Sequence, residues 1–75
     1  MTPTPPATPR SRLTPRETEC VTLAASGLSV AQTAQHLNLA ERTVEFHLQN
    51  AMRKLGAATK LRAVVLALQQ QLIAP

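Results

Sequence analysis

Aromatic residues are nearly absent from this chain. It has no tryptophan, no tyrosine and a single phenylalanine, Phe46. Glycine is also scarce, with two in 75 residues, and no run of residues reads as a strand. Alanine, leucine and glutamine are abundant instead, which points to helices. Five of the six prolines lie at or before Pro15 and the sixth is Pro75, so none interrupts the middle of the chain. Cys20 is the only cysteine, which excludes an intramolecular disulfide and suits a reducing cytoplasm. No apolar stretch reaches the roughly 18 residues that a membrane span needs. Residues 1–12 lack the apolar core of a secretory signal.

Acidic residues are few. Four oppose eight lysines and arginines, for a net charge of +4. Their placement matters more than the total. Glu17, Glu19 and Glu41 lie upstream, whereas the stretch from Arg42 to Arg62 holds Arg42, Arg53, Lys54, Lys60 and Arg62 against Glu45 alone. A basic C-terminal half suggests a polyanionic partner. An ordinary solvated surface is the plainer alternative. A single domain this small buries only roughly 60% of its unfolded surface, which leaves little room for a deep catalytic pocket. The two histidines and Cys20 match no zinc-binding spacing, and a Cys–His nucleophile would need a cleft and a third, orienting group. We therefore expect no enzyme activity, no metal, no cofactor and no small-molecule ligand.

The segment LAERTVEFHLQNAMRKLG, from Leu39 to Gly56, carries the strongest signal. Val44, Leu48, Ala51, Met52 and Leu55 recur at spacings of three and four, which makes an apolar stripe along one side of a helix. Arg42, Thr43, Phe46, Gln49, Asn50 and Arg53 take the opposite side. A phenylalanine among hydrogen-bonding groups makes sense on a helix that enters a DNA major groove. There apolar groups meet thymine methyls, and polar ones meet base edges and phosphates. Glu45 has two readings: an acceptor for cytosine N4, or a solvated charge favoured by the helix N-terminus. His47 flanks the stripe and is placed either to reach a phosphate or simply to pack.

Around this segment the chain divides readily. Residues 1–12 are rich in proline and threonine and read as a disordered tail, first of all a solubilising linker, with a DNA-touching arm through Arg10 and Arg12 as the alternative. The folded part spans 13–75. Thr14-Pro15-Arg16-Glu17 starts a first helix with a capping box, ending near Ala25 or Ser26 before Gly27. Its inward residues are Cys20, Val21, Ala24 and Leu28. Ser29 and Gln32 cap a second, short helix over Val30–Leu37, with Val30, Thr33, Ala34 and Leu37 inward. Asn38 suits the tight turn that follows. The third helix runs from Glu41 to about Leu55. A short helix, a turn of three or four residues and a longer helix form a helix-turn-helix unit. Thr59 caps a fourth helix from Lys60 to about Leu72. Leu61, Val64, Val65, Leu68 and Leu72 line one side of it. Leu66 and Ile73 lie on another, with Ala63 and Ala67 nearby. That is more apolar surface than a small core needs, and it reads either as a self-association surface or as a well-covered core.

Taken together, LTPRETECVTLAASGLS and TVEFHLQNAMRKLGAATK resemble the LuxR-type (GerE-type) helix-turn-helix domain of bacterial transcription regulators, over Leu13 to about Ala67. The wording is most like that of acyl-homoserine-lactone receptors used in quorum sensing. The resemblance implies an all-α, four-helix bundle whose third helix reads the major groove of double-stranded DNA and whose fourth helix dimerises. It places Glu45, Phe46 and Gln49 at base edges and Thr43 and Lys54 at phosphates. Combined with the polar face, the expected base-reading set is Arg42, Glu45, Phe46 and Gln49. The expected phosphate set is Thr43, Asn50, Arg53, Lys54 and Lys60. The expected homodimer contacts are Ala63, Val65, Leu66, Leu68 and Leu72. Two positions depart from the family pattern: Glu45 stands where many relatives carry a base, and Ala40 where a serine usually caps. Family members usually carry an upstream sensor. The sequence is thus read as a free-standing DNA-binding protein or an excised domain. The rival function is a sensorless module that pairs with a longer LuxR-type regulator and modulates it.

Overall fold

A computed structural model describes residues 13–73. The tail assigned to residues 1–12, with Arg10 and Arg12, lies outside the described residues. Four helices follow one another: α1 (Pro15–Ala25), α2 (Val30–Leu37), α3 (Glu41–Leu55) and α4 (Lys60–Gln69). The described residues form no strand.

Each helix start follows from its first residues. The Glu17 amide donates to Thr14 Oγ1 at 3.1 Å, and the Thr14 amide donates back to Glu17 Oε1 at 2.9 Å. Ser29 and Gln32 repeat this reciprocal pair at 3.1 and 2.9 Å. At α4, Thr59 Oγ1 accepts from the Arg62 amide at 3.0 Å. Helix α3 is the exception, because Ala40 has no side-chain acceptor to offer. Ala40→Ser is therefore expected to stabilise the fold by about 1 kcal/mol. Urea unfolding checks this, and an unchanged midpoint would show that the first amides of α3 gain nothing from a cap.

All four helices stop in the same way. The residue after the last turn adopts a left-handed conformation: Gly27 (φ 94°), Asn38 (59°), Gly56 (71°) and Gln71 (60°). The next amide then reaches back five residues, as in Leu28 to Leu23 O (3.1 Å), Leu39 to Ala34 O (2.8 Å), Ala57 to Met52 O (2.9 Å) and Leu72 to Ala67 O (2.9 Å). These closures satisfy carbonyls that a helix end otherwise leaves without partners. At three of the corners the residue so turned, Leu39, Ala57 and Leu72, packs against the core. Helix α4 thus ends at Gln69, short of the expected Leu72, because Gln71 takes the left-handed position.

Helices α1 and α3 each pack against all three other helices, whereas α2 and α4 do not meet. The core consists of Cys20 and Val21 from α1, Ala34 from α2, Val44, Leu48, Ala51 and Leu55 from α3, Ala63 and Ala67 from α4, and Ile73. Cys20 is fully buried, and burial pushes its thiol pKa up; Arg16 opposes this to a smaller degree, and Glu19 and Glu17 add to it. It is a packing residue rather than a reactive one. Ala24, expected inward, is only half-buried.

The face of α4 differs from expectation. Ala63 and Ala67, 1% and 0% exposed, make the core contact. Ala63 is therefore removed from the set of outward dimer residues. Two alanines one turn apart let α4 approach its neighbours closely, since interaxial distance is set by the side chains at the contact. Leu61 is turned outward and is 73% exposed.

Candidate nucleic-acid interface

Helix α3 is held from three sides, yet one face stays open. Val44 and Ala51 are fully buried, and Leu48 and Leu55 nearly so. The periodicity that buries them turns Arg42, Glu45, Phe46, Gln49 and Arg53 outward, and all five are exposed. Thr43, His47, Asn50 and Lys54 are half-buried. Phe46 is 63% exposed, the only large hydrophobic besides Leu61 that the described residues leave open to this degree. Exposing an aromatic ring forgoes roughly 1.5–3 kcal/mol of burial. The His47 ring lies 5.9 Å from the Phe46 ring and tilted by 60°. The expected base-reading residues are thus brought together on one surface by the phase of α3 alone.

Cations outnumber acids on this surface, where Glu41 and Glu45 are the exposed carboxylates of α3. Among the described residues two ion pairs form, and both use an acid of α1. Arg16 Nη1 meets Glu19 Oε1 at 3.0 Å, and Lys54 Nζ meets Glu17 Oε1 at 2.8 Å. Arg42, Arg53, Lys60 and Arg62 have no acidic partner among the described residues. Four unneutralised cations on α3 and the start of α4 suit a phosphate backbone.

The Glu17–Lys54 pair was not anticipated. Glu17 is only 3% exposed, although the sequence assigned it no more than a capping role. One carboxylate oxygen accepts from the Thr14 amide and the Lys54 ammonium together. Burial by itself would raise the Glu17 pKa, but the Lys54 ammonium and the Thr14 amide and hydroxyl outweigh it, and the net shift is downward. The pair ties the first turn of α1 to the last turn of α3. The signal was present in the sequence: Glu17 falls on the same stripe as Cys20, Val21 and Ala24, and a carboxylate in that position needs a cation. The Lys54 ammonium therefore has an intramolecular partner as well as any phosphate it reaches.

On α4 the open face carries Leu61, Val65 and Leu68. Leu61 is exposed and the other two are half-buried. Leu66, Leu68 and Leu72 also pack in part against the core, which Val65 does not. A shallow groove between α1 and α2 is lined by Thr18, Glu19, Thr22, Leu23, His36 and Leu37, with a volume near 210 Å³. That is below the roughly 300 Å³ of the smallest usual ligand sites. Glu19 in it is already paired with Arg16. No group of three metal-ligating side chains forms among the described residues. No helix of the described residues is long and apolar enough to cross a membrane.

The sequence profile described as "Bacterial regulatory proteins, luxR family" matches residues 11–67. The chain belongs to that family. It is 43% identical over 67 residues to the transcriptional activator protein BjaR1 of Bradyrhizobium diazoefficiens, covering 89% of this chain and 28% of that protein. It is 48% identical over 64 residues to the quorum sensing-dependent transcriptional regulator RpaR of Rhodopseudomonas palustris, covering 85% and 26%. It is 43% identical over 63 residues to the nitrate/nitrite response regulator protein NarP of Escherichia coli K12, covering 84% and 29%. The chain thus spans less than a third of the length of these relatives. RpaR and NarP differ in the signal their names specify, so likeness in this domain does not distinguish one kind of signal from another.

Proposed function

We propose that this chain binds double-stranded DNA sequence-specifically as the DNA-binding domain of a cytoplasmic transcription regulator, with α3 laid in the major groove. The observation that carries this reading is the open face of α3. An exposed phenylalanine sits there among amide, carboxylate and guanidinium groups, on a helix whose other side is locked into the core. Arg42, Glu45, Phe46 and Gln49 face the bases. Arg53 and Lys60, with Thr43 and Asn50 at the margin, meet phosphates. Lys54 contributes there only with the capacity that Glu17 leaves it. Selection of bound sites from random duplex DNA tests the reading. A shared motif supports it, and recovery of unrelated sequences would reject it.

A single module buries only roughly 600–1,000 Å² of its surface on DNA, so tight binding calls for two copies on a two-fold site. The open stripe of α4 supplies a surface for that. Leu61→Glu and Val65→Glu are expected to reduce dimerisation and DNA affinity while leaving the circular dichroism unchanged. Sedimentation of each variant with and without the selected duplex measures this. Two copies still assembling with wild-type affinity would exclude the stripe as the interface. The same stripe also supports the second reading, in which the chain pairs with a longer relative. Under that reading the purified protein would bind DNA poorly alone and co-elute with such a regulator.

A further inference from the structure

Phe46 and Gln49 are three residues apart on α3, which makes them neighbours on the helix surface, and both are exposed. Side chains so placed reach the same base pair or adjacent ones. Their chemistry differs in a way that selects among base pairs. The ring of Phe46 has nothing to hydrogen-bond with, and the C5-methyl of thymine is the one apolar feature on the major-groove edges of the four bases. The Gln49 carboxamide carries a donor and an acceptor side by side, which matches N7 and N6–H of adenine. Arg42 stands one turn before Phe46, and Arg53 one turn after Gln49, so the cations that suit guanine or phosphate flank this pair rather than interrupt it.

We infer that the centre of α3 reads an A·T-containing step, with Phe46 against a thymine methyl and Gln49 on an adenine. This rests on the proposed placing of α3 in the major groove and assigns it a base identity.

Base analogues in the selected duplex separate the two contacts. Deoxyuridine removes only the thymine methyl, and 7-deazaadenine removes only the N7 acceptor. Replacing the contacted thymine by deoxyuridine should weaken wild-type binding about fourfold, the effect of one buried methyl. The same replacement should have almost no effect on Phe46→Ala. 7-Deazaadenine should weaken the wild type about fivefold or more and leave Gln49→Ala nearly unaffected. The crossed combinations, Phe46→Ala with 7-deazaadenine and Gln49→Ala with deoxyuridine, should be additive. Both side chains are exposed, so the variants keep the wild-type circular dichroism. A selected motif with no invariant A·T pair would overturn the inference and leave the DNA-binding reading intact. So would an analogue penalty that persists undiminished in the matching variant. Absence of any sequence preference would overturn both.

Discussion

Glu17→Ala is expected to destabilise the fold by about 2–3 kcal/mol. Two losses add: the capping bond to the Thr14 amide, typically about 1 kcal/mol, and the partner of a half-buried lysine. Removing one member of a buried pair costs up to about 5 kcal/mol when the other charge stays trapped, but the Lys54 side chain is 29% exposed and can turn toward water. The lower figure therefore applies. In a domain of this size, whose total stability is on the order of 5 kcal/mol, that is a severe change. Glu17→Gln keeps an oxygen for the Thr14 amide and removes the charge, so it should retain part of the loss-free stability and fall between wild type and Glu17→Ala. The pH dependence has a definite sign. The folded-state pKa of Glu17 lies below its ordinary value of 4.5. Its contribution is complete above that value and disappears as pH falls through the lowered folded-state pKa. Urea midpoints measured from pH 7 down to pH 3 should fall more steeply for wild type than for Glu17→Gln. Parallel curves would mean that the carboxylate does not act through its charge.

Specificity carries the second large effect. Gln49→Ala is expected to weaken binding to the preferred duplex by about 1–3 kcal/mol and binding to a scrambled duplex hardly at all, and Phe46→Ala to behave in the same way. Arg53→Ala should weaken both duplexes by similar factors and reduce the salt slope by roughly one unit. Fluorescence anisotropy over a salt series makes the distinction. Gln49→Ala and Phe46→Ala lowering both affinities equally would mean that this face does not discriminate bases.

Much of this was legible in the sequence, for identifiable reasons. Thr14 with Glu17 and Ser29 with Gln32 form local capping pairs that need no tertiary context, and the helices begin where those pairs require. The stripe Val44–Leu48–Ala51–Leu55 is regular over about three turns, which sets the phase of α3 and with it the exposure of Phe46 and Gln49. Helix α4 was harder to read. Hydropathy favours leucine and valine as inward residues, but close approach of helices selected Ala63 and Ala67. The early stop at Gln69 depends on glutamine in a left-handed position that composition associates with glycine or asparagine. The Glu17–Lys54 pair joins residues 37 positions apart, and only the packing of α1 on α3 brings them together.

The central claim is that the outward face of α3 meets DNA. Amide chemical-shift changes in the ¹⁵N-labelled protein, recorded as a selected duplex is added, test it most directly. The largest changes should fall at Arg42, Glu45, Phe46, Gln49 and Arg53, with smaller ones at Lys60 and Arg62. Changes concentrated instead at Thr18, Leu23 and Leu37 in the groove between α1 and α2, with Phe46 and Gln49 unmoved, would contradict it.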